Sequence, residues 1–199
     1  MSIAEFFRDK GHDVLLMMDS VTRFAMAQRE IGLSTGEPPV SRGYPPSVFA
    51  LLPQLMERAG NNKKGSITAF FTVLVDGDDM NDPIADQSRS ILDGHIVLTR
   101  DLTEQGFYPP INLLKSASRV MDKVVDKEHY NEFLKLKRVL SLIKENEVLV
   151  RVGAYKVDMD LELDNAMAKK EQIRQFLTQG SQEIVSFNDT VAMFRKVLQ

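Results

Sequence analysis

The sequence contains no cysteine. That absence removes disulfides, thiol nucleophiles, iron–sulfur clusters and cysteine-based zinc sites, and it fits a reducing compartment. Histidine is scarce: His12, His95 and His129 stand far apart, so a histidine-rich metal site is not expected. No stretch approaches the ~20 apolar residues of a membrane-crossing helix. The opening MSIAEFFRDKGH has acids early and no apolar core of signal-peptide length. Charge of one sign is also lacking. The net charge is -3, with 12 Lys/Arg against 15 Asp/Glu in residues 1–120 and 13 against 13 in 121–199. No basic field therefore recruits nucleic acid or an anionic membrane. Internal repeats and low-complexity tracts are missing too. What is present is a globular balance: 199 residues, 43% apolar and 27% charged, enough for one large domain or a domain with a small appendage.

The first two thirds alternate strand and helix patterns. Asp13–Met18 (DVLLMM) is an apolar run of the kind a buried parallel strand shows, and it ends at Asp19. Ser20 is placed to cap a helix in which Val21, Phe24, Ala25 and Ile31 keep helical spacing until Gly32 stops it. A Gly/Pro-rich loop spans Ser34–Pro46. Ser47–Ala59 reads as a helix with Pro53 inside, and Gly60–Gly65 as a polar turn. Ile67–Val75 is a second strand, rich in β-branched and aromatic residues. The acidic loop DGDDMNDP leads to a helix from Ile84 to Leu92, with Asp82 before Pro83 as its N-cap, which leaves Asp78 and Asp79 uncommitted. His95–Thr99 and Ile111–Ser116 are predicted as third and fourth strands. This alternation implies an α/β sheet, mostly parallel. From Val124 on, three helical faces follow: Phe133, Leu136, Leu140 and Ile143, then Ile173, Phe176 and Leu177, then Val191, Phe194 and Leu198. They form a small helical domain. The predicted division is 1–123 and 124–199.

An apolar strand closed by Asp at its carboxyl end has the form of a Walker B element. A carboxylate there sits in the crevice where α/β sheets bind ligands, and it suits Mg²⁺ held through a water beside phosphates. A buried strand followed by an ordinary turn aspartate fits Asp19 alone as well.

The wider sequence resembles one family. The run DVLLMMDSVTRFAMAQREIGLSTGEPPVSRGYPPSVFALLPQLMERAG is similar to the flagellar and virulence-type ATPases of type III protein export, relatives of the rotary ATP synthase catalytic subunit. The similarity continues through GDDMNDPIADQSRSILDGHIVLTRDL, FYPPINLLKSASRVM and QFLTQG. Transcription-termination helicases share something like DSVTR but not GYPPSVFALLP. The resemblance implies a partial RecA-like core with flanking helices, followed by an all-helical domain. It also implies an upstream P-loop, G-x-x-x-x-G-K-[ST], and a water-polarising glutamate beyond it. Neither occurs in these 199 residues. The chain therefore looks like the C-terminal half of such an enzyme. Without the P-loop amides and lysine it is not expected to hydrolyse ATP alone, and as half of such a subunit, with half of each interface lacking, it is expected to be monomeric or weakly associated.

Residue roles follow from the same resemblance. Asp19 serves Mg²⁺ at its own subunit's site, and Arg23 stands close by as a supporting residue. Arg119, in KSASRVM, matches an arginine finger that reaches phosphates on the neighbouring subunit. A planar, permanently charged, bidentate guanidinium suits that task; a surface arginine or a structural ion pair is the plainer alternative. Tyr108, in FYPP, matches an aromatic that stacks on adenine. Phe187 matches a second aromatic closing over the base. Ser181 stands where relatives carry a further aromatic, so helical-domain core is the more economical role for Phe187. The Asp19–Ser20 peptide is implied to be cis. The Ser34–Pro46 loop is implied to lie at a subunit interface, and the acidic loop to face a stalk protein.

The implied function is that of a homohexameric ATPase, using ATP and Mg²⁺, that powers protein export through a flagellar-type apparatus. Its implied partners are copies of itself, stalk-like and regulatory export proteins, chaperones and export substrates. Its implied place is cytoplasmic, peripheral to the inner-membrane export gate. The alternative is a catalytically inert fragment that docks chaperones, substrates or a stalk protein. An RNA-translocating ring is disfavoured, because the chain is slightly acidic and has no interleaved basic and aromatic stripe.

Overall fold

A computed structural model describes residues 1–156 and 160–198. The chain forms two compact units, Met1–Asp93 and Gly94–Gln199.

In the first unit, helix α1 (Ser2–Asp9) precedes strand β1 (Asp13–Met18). Helices α2 (Val21–Ser34) and α3 (Pro46–Met56) come next, then strands β2 (Gly60–Asn61) and β3 (Ser66–Phe71) and helix α4 (Pro83–Ile91). The sheet order is β1-β3-β2. β1 and β3 run parallel in unbroken register from Asp13 opposite Ser66 to Met18 opposite Phe71. Alternation decides the faces. Met18 and Phe71 pack on a helical core of Val21, Ala25, Val48, Leu52, Met56 and Ile84. Leu15, Met17 and Phe70 alternate onto the other face and are exposed. Full burial of a side chain such as Leu52 or Ile84 stabilises by about 1.5–3 kcal/mol.

Three local expectations change here. α2 does not stop at Gly32 but runs to Ser34. Gly32 is needed for close packing: a Cβ there would lie 2.7 Å from Pro45 Cγ and 3.0 Å from Ser47 Oγ. The segment expected as a turn includes a short strand, since Gly60–Asn61 pairs antiparallel with β3 before Asn62 Oδ1 closes the turn by accepting from Lys64 N and Gly65 N. β3 ends at Phe71 instead of Val75. Beyond it Thr22 takes over, its hydroxyl accepting from Leu74 N at 2.8 Å.

The second unit contains β4 (Gly94–His95), α5 (Arg100–Glu104), β5 (Ala117–Ser118), α6 (Met121–Val124), α7 (Lys127–Glu145), α8 (Glu147–Arg151), α9 (Leu161–Leu177) and α10 (Phe187–Leu198). The third and fourth strands expected here are reduced to a two-residue antiparallel ribbon, β4 with β5, and a lone bridge between Leu98 and Ile111. Asn112 is the reason. Its side chain accepts from Lys115 N and its carbonyl from Ser116 N, so the chain turns where a strand was expected. The three helical faces do form a core, of Leu136, Ile173 and Phe194, with Phe176 stacked on Phe194 at 5.8 Å. The stripe on α7 is divided: Phe133, Leu136 and Leu140 join that core, whereas Ile143 packs with a second cluster of Leu142, Leu163 and Ala166. Asp126 and Asp160 cap α7 and α9 by accepting backbone N–H groups.

Gly94 fixes the ribbon. A Cβ on it would meet Ala117 O at 2.7 Å and Ser118 Cα at 3.2 Å, both backbone atoms that cannot rotate away. Gly94→Ala is therefore expected to destabilise by about 1–3 kcal/mol, the usual cost of overpacking. Urea unfolding of the variant with an unchanged midpoint would show that this approach is not tight.

Candidate active site

The candidate residues fall in both units. In the first, Asp19 follows directly on β1 and is exposed. The Asp19–Ser20 peptide is cis, as the resemblance implied. Ser20 is buried and caps α2, its Oγ accepting from Arg23 N at 3.3 Å. The Thr72 hydroxyl donates to Asp19 Oδ1 at 2.7 Å. Arg23 is exposed on the first turn of α2, and among the described residues no ion pair joins it to Asp19.

The residues at this sheet end fit Mg²⁺. Asp19 and Thr72 offer hard oxygen donors side by side. Among the described residues no group of three or more acidic, histidine or cysteine side chains forms a cage. Mg²⁺ keeps several waters and takes one or two carboxylates beside phosphates, so a single aspartate contacting it through water is the appropriate donor set.

Two loops of the same unit are tied down by polar contacts. Glu37 Oε2 accepts from Ser47 N at 3.0 Å and fastens the Ser34–Pro46 loop to the start of α3. Asp82 caps α4 by accepting from Ile84 N and Ala85 N, as expected. Asp79, expected to be uncommitted, instead pairs with Arg42 at 2.6 Å and accepts from Asn81 N. The Arg42 hydrogen bond, helped by the Asn81 N–H, lowers the Asp79 pKa below its ordinary value. A lowered carboxylate pKa gives stability that is present above the unfolded value and lost as pH falls through the folded one. The Arg42 link between the loops therefore weakens only in acid. Tyr44, in the same loop, is buried against this core, and burial followed by the Asp82 charge pushes its phenol up.

In the second unit, Arg119 immediately follows β5 and is exposed, carried by the ribbon that Gly94 permits. Tyr108 is half-exposed ahead of a cis bond to Pro109. Its carbonyl accepts from Gln179 N at 2.8 Å, which ties the aromatic to the segment after α9. A small cavity of about 140 Å³ lies there, lined by Phe176, Thr178, Gln179, Val185 and Met193 among others. Phe187 is 72% exposed at the first position of α10. The core role expected for it is wrong: α10 turns Phe194 inward instead. An exposed aromatic at a helix start is available to a ligand in a way a core residue is not.

Sequence reasoning missed Thr72 and Gln179. Thr72 was within reach: the β1–β3 register ends with Met18 opposite Phe71, and one further step sets Asp19 beside Thr72. Gln179 carries no local signal, because its contact is a main-chain bond across 71 positions.

A parallel strand pair closed by an aspartate, with a mainly helical region later in the chain, makes this an α/β protein with a helical appendage. Residues 1–118 match the ATP synthase alpha/beta family, nucleotide-binding domain, and residues 125–196 match the T3SS EscN ATPase C-terminal domain. The chain belongs to the ATP synthase alpha/beta family. It is 57% identical over 200 aligned positions to the flagellum-specific ATP synthase of Helicobacter pylori, covering 100% of this chain and 46% of that protein. It superposes on the assembled ATPase EscN from the type III secretion system of enteropathogenic E. coli with a TM-score of 0.97 at 50% identity, over 100% of this chain and 48% of that one. EscN in complex with its central stalk EscO gives a TM-score of 0.90 at 48% identity, covering 100% and 47%. The chain thus spans about half the length of the relatives it matches. Among the described residues no helix is long and apolar enough to cross a membrane.

Proposed function

We propose that this chain is the C-terminal half of the subunit of a homohexameric ATPase that couples ATP hydrolysis to protein export through a flagellar-type secretion apparatus. The observation that supports it most is the superposition of all of this chain on about half of an assembled type III secretion ATPase, at 50% identity. In this reading residues 1–123 complete the nucleotide-binding core and 124–199 form the helical domain. The protein is cytoplasmic and peripheral to the inner-membrane export gate. Beyond its own copies, its partners are a stalk protein, regulatory export proteins, chaperones and substrates.

ATP lies between subunits. Asp19 would hold Mg²⁺ through a water, with Arg23 on the adjoining helical turn. Bound there, Mg²⁺ would supply charge neutralisation to the phosphates. Tyr108 and Phe187 offer exposed aromatic faces to adenine. Arg119 is delivered from the neighbouring subunit to the charge that develops in phosphoryl transfer.

A site split between subunits makes turnover depend on assembly. In the P-loop-bearing protein, hydrolysis per subunit is expected to rise with protein concentration in step with ring formation followed by sedimentation. A specific activity that stays constant down to the monomer would overturn the reading.

A further inference from the structure

We propose that Thr72 is the positioning residue for the Asp19 carboxylate: its hydroxyl fixes one carboxylate oxygen and leaves the other for the hydrated cation. This rests on the reading of Asp19 as the Mg²⁺ carboxylate.

The main chain places Thr72 before its side chain acts. Thr72 N donates to Met18 O at 3.1 Å, and Thr72 O accepts from Val21 N at 3.0 Å. These bonds grip the chain on either side of Asp19. They need no particular side chain at position 72, so the turn does not depend on the hydroxyl. The hydroxyl lies 3.5 Å from Met18 O and 2.7 Å from Asp19 Oδ1, and its one proton goes to the shorter contact, so it donates to Asp19. Its β-branched side chain is stiff at χ1, which preserves that aim at an exposed site. A hydroxyl has one proton and two lone pairs. With its proton given to Asp19, the oxygen can only accept, and a cation's water is a suitable donor. Carboxylate and hydroxyl then present two acceptors to one hydrated ion. Groups that orient a metal-binding carboxylate in this way commonly affect affinity by about 10–100-fold when removed.

The test is Mn²⁺ binding, read by electron paramagnetic resonance, in the assembled P-loop-bearing protein loaded with a non-hydrolysable ATP analogue. Thr72→Val keeps the shape and loses the hydroxyl. It is expected to weaken Mn²⁺ about tenfold or more, with the melting temperature and metal-free nucleotide affinity unchanged. Thr72→Ser restores the hydroxyl and is expected to recover most of the affinity. In an Asp19→Asn background, adding Thr72→Val is expected to cost nothing further, because the two residues act as one unit. Thr72→Ala serves if the valine variant does not fold. Wild-type Mn²⁺ affinity in both Thr72→Val and Thr72→Ala, or a serine variant as weak as valine, overturns the inference. If Asp19→Asn weakens Mn²⁺ while the Thr72 variants do not, only the inference fails. If Asp19→Asn leaves Mn²⁺ binding intact, the reading of Asp19 itself fails and takes the inference with it.

Discussion

Replacing Arg119 with lysine in the assembled P-loop-bearing protein is expected to abolish most turnover while leaving nucleotide binding nearly intact. Lysine keeps the charge but loses the planar fork that makes two parallel contacts to phosphate oxygens. An arginine supplied to a phosphoryl-transfer site is worth roughly 10³–10⁵ in turnover in other systems. Arg119→Ala should lose as much or more. The signature that matters is a fall in kcat with little change in nucleotide affinity, because a group acting only in the transition state contributes nothing to the ground-state complex. A structural ion pair predicts the opposite pattern: a lower melting temperature, with normal turnover in the molecules that remain folded. Arg119 is exposed directly after β5, and the split between kcat and melting temperature decides between the two patterns.

Much of the fold can be read from periodicity alone. DVLLMM becomes a parallel strand closed by its Asp, though not the buried one its apolar run suggests, since Leu15 and Met17 are exposed. Ser20 and Asp82 cap the helices they precede. Those are local signals, and local chemistry decides them. The failures have a common cause in distant contacts. Gly32 carries a helix-stop signal, yet α2 passes through it because what counts there is the room needed by Pro45 and Ser47. Ile111–Ser116 has strand composition, but the Asn112 side chain bends it into a turn. Phe187 lies seven positions before Phe194 and so shares its helical face, but it stands at the first position of α10 and is left exposed, while Phe194 is the buried residue of that face. Asp79 looks like a solvated acid until Arg42, 37 positions away, is brought beside it. For the candidate site, the residue types came from resemblance, and the geometry adds what resemblance lacks: the Thr72 bond to Asp19 and the Gln179 bond behind Tyr108.

Mixed rings give the second large effect, and they test the division of labour between subunits directly. Subunits carrying Asp19→Ala have lost the cation's carboxylate, and subunits carrying Arg119→Ala have lost the finger. Each population alone is expected to be inactive. When equal amounts assemble at random, about one interface in four pairs an intact Asp19 with an intact Arg119 from the next subunit, because a heterologous ring joins opposite faces of neighbouring copies. Turnover should therefore reappear on mixing two dead proteins, and it should peak near equal proportions. If both residues served the same subunit's site, no mixture would contain a single complete site. A ring that stalls at one defective interface would also stay silent, so each variant is titrated into wild type as well. A proportional decline there shows that sites fire independently. Against that background, silence in the mixture of the two variants would mean that Arg119 serves its own subunit's site, and the trans assignment would fall.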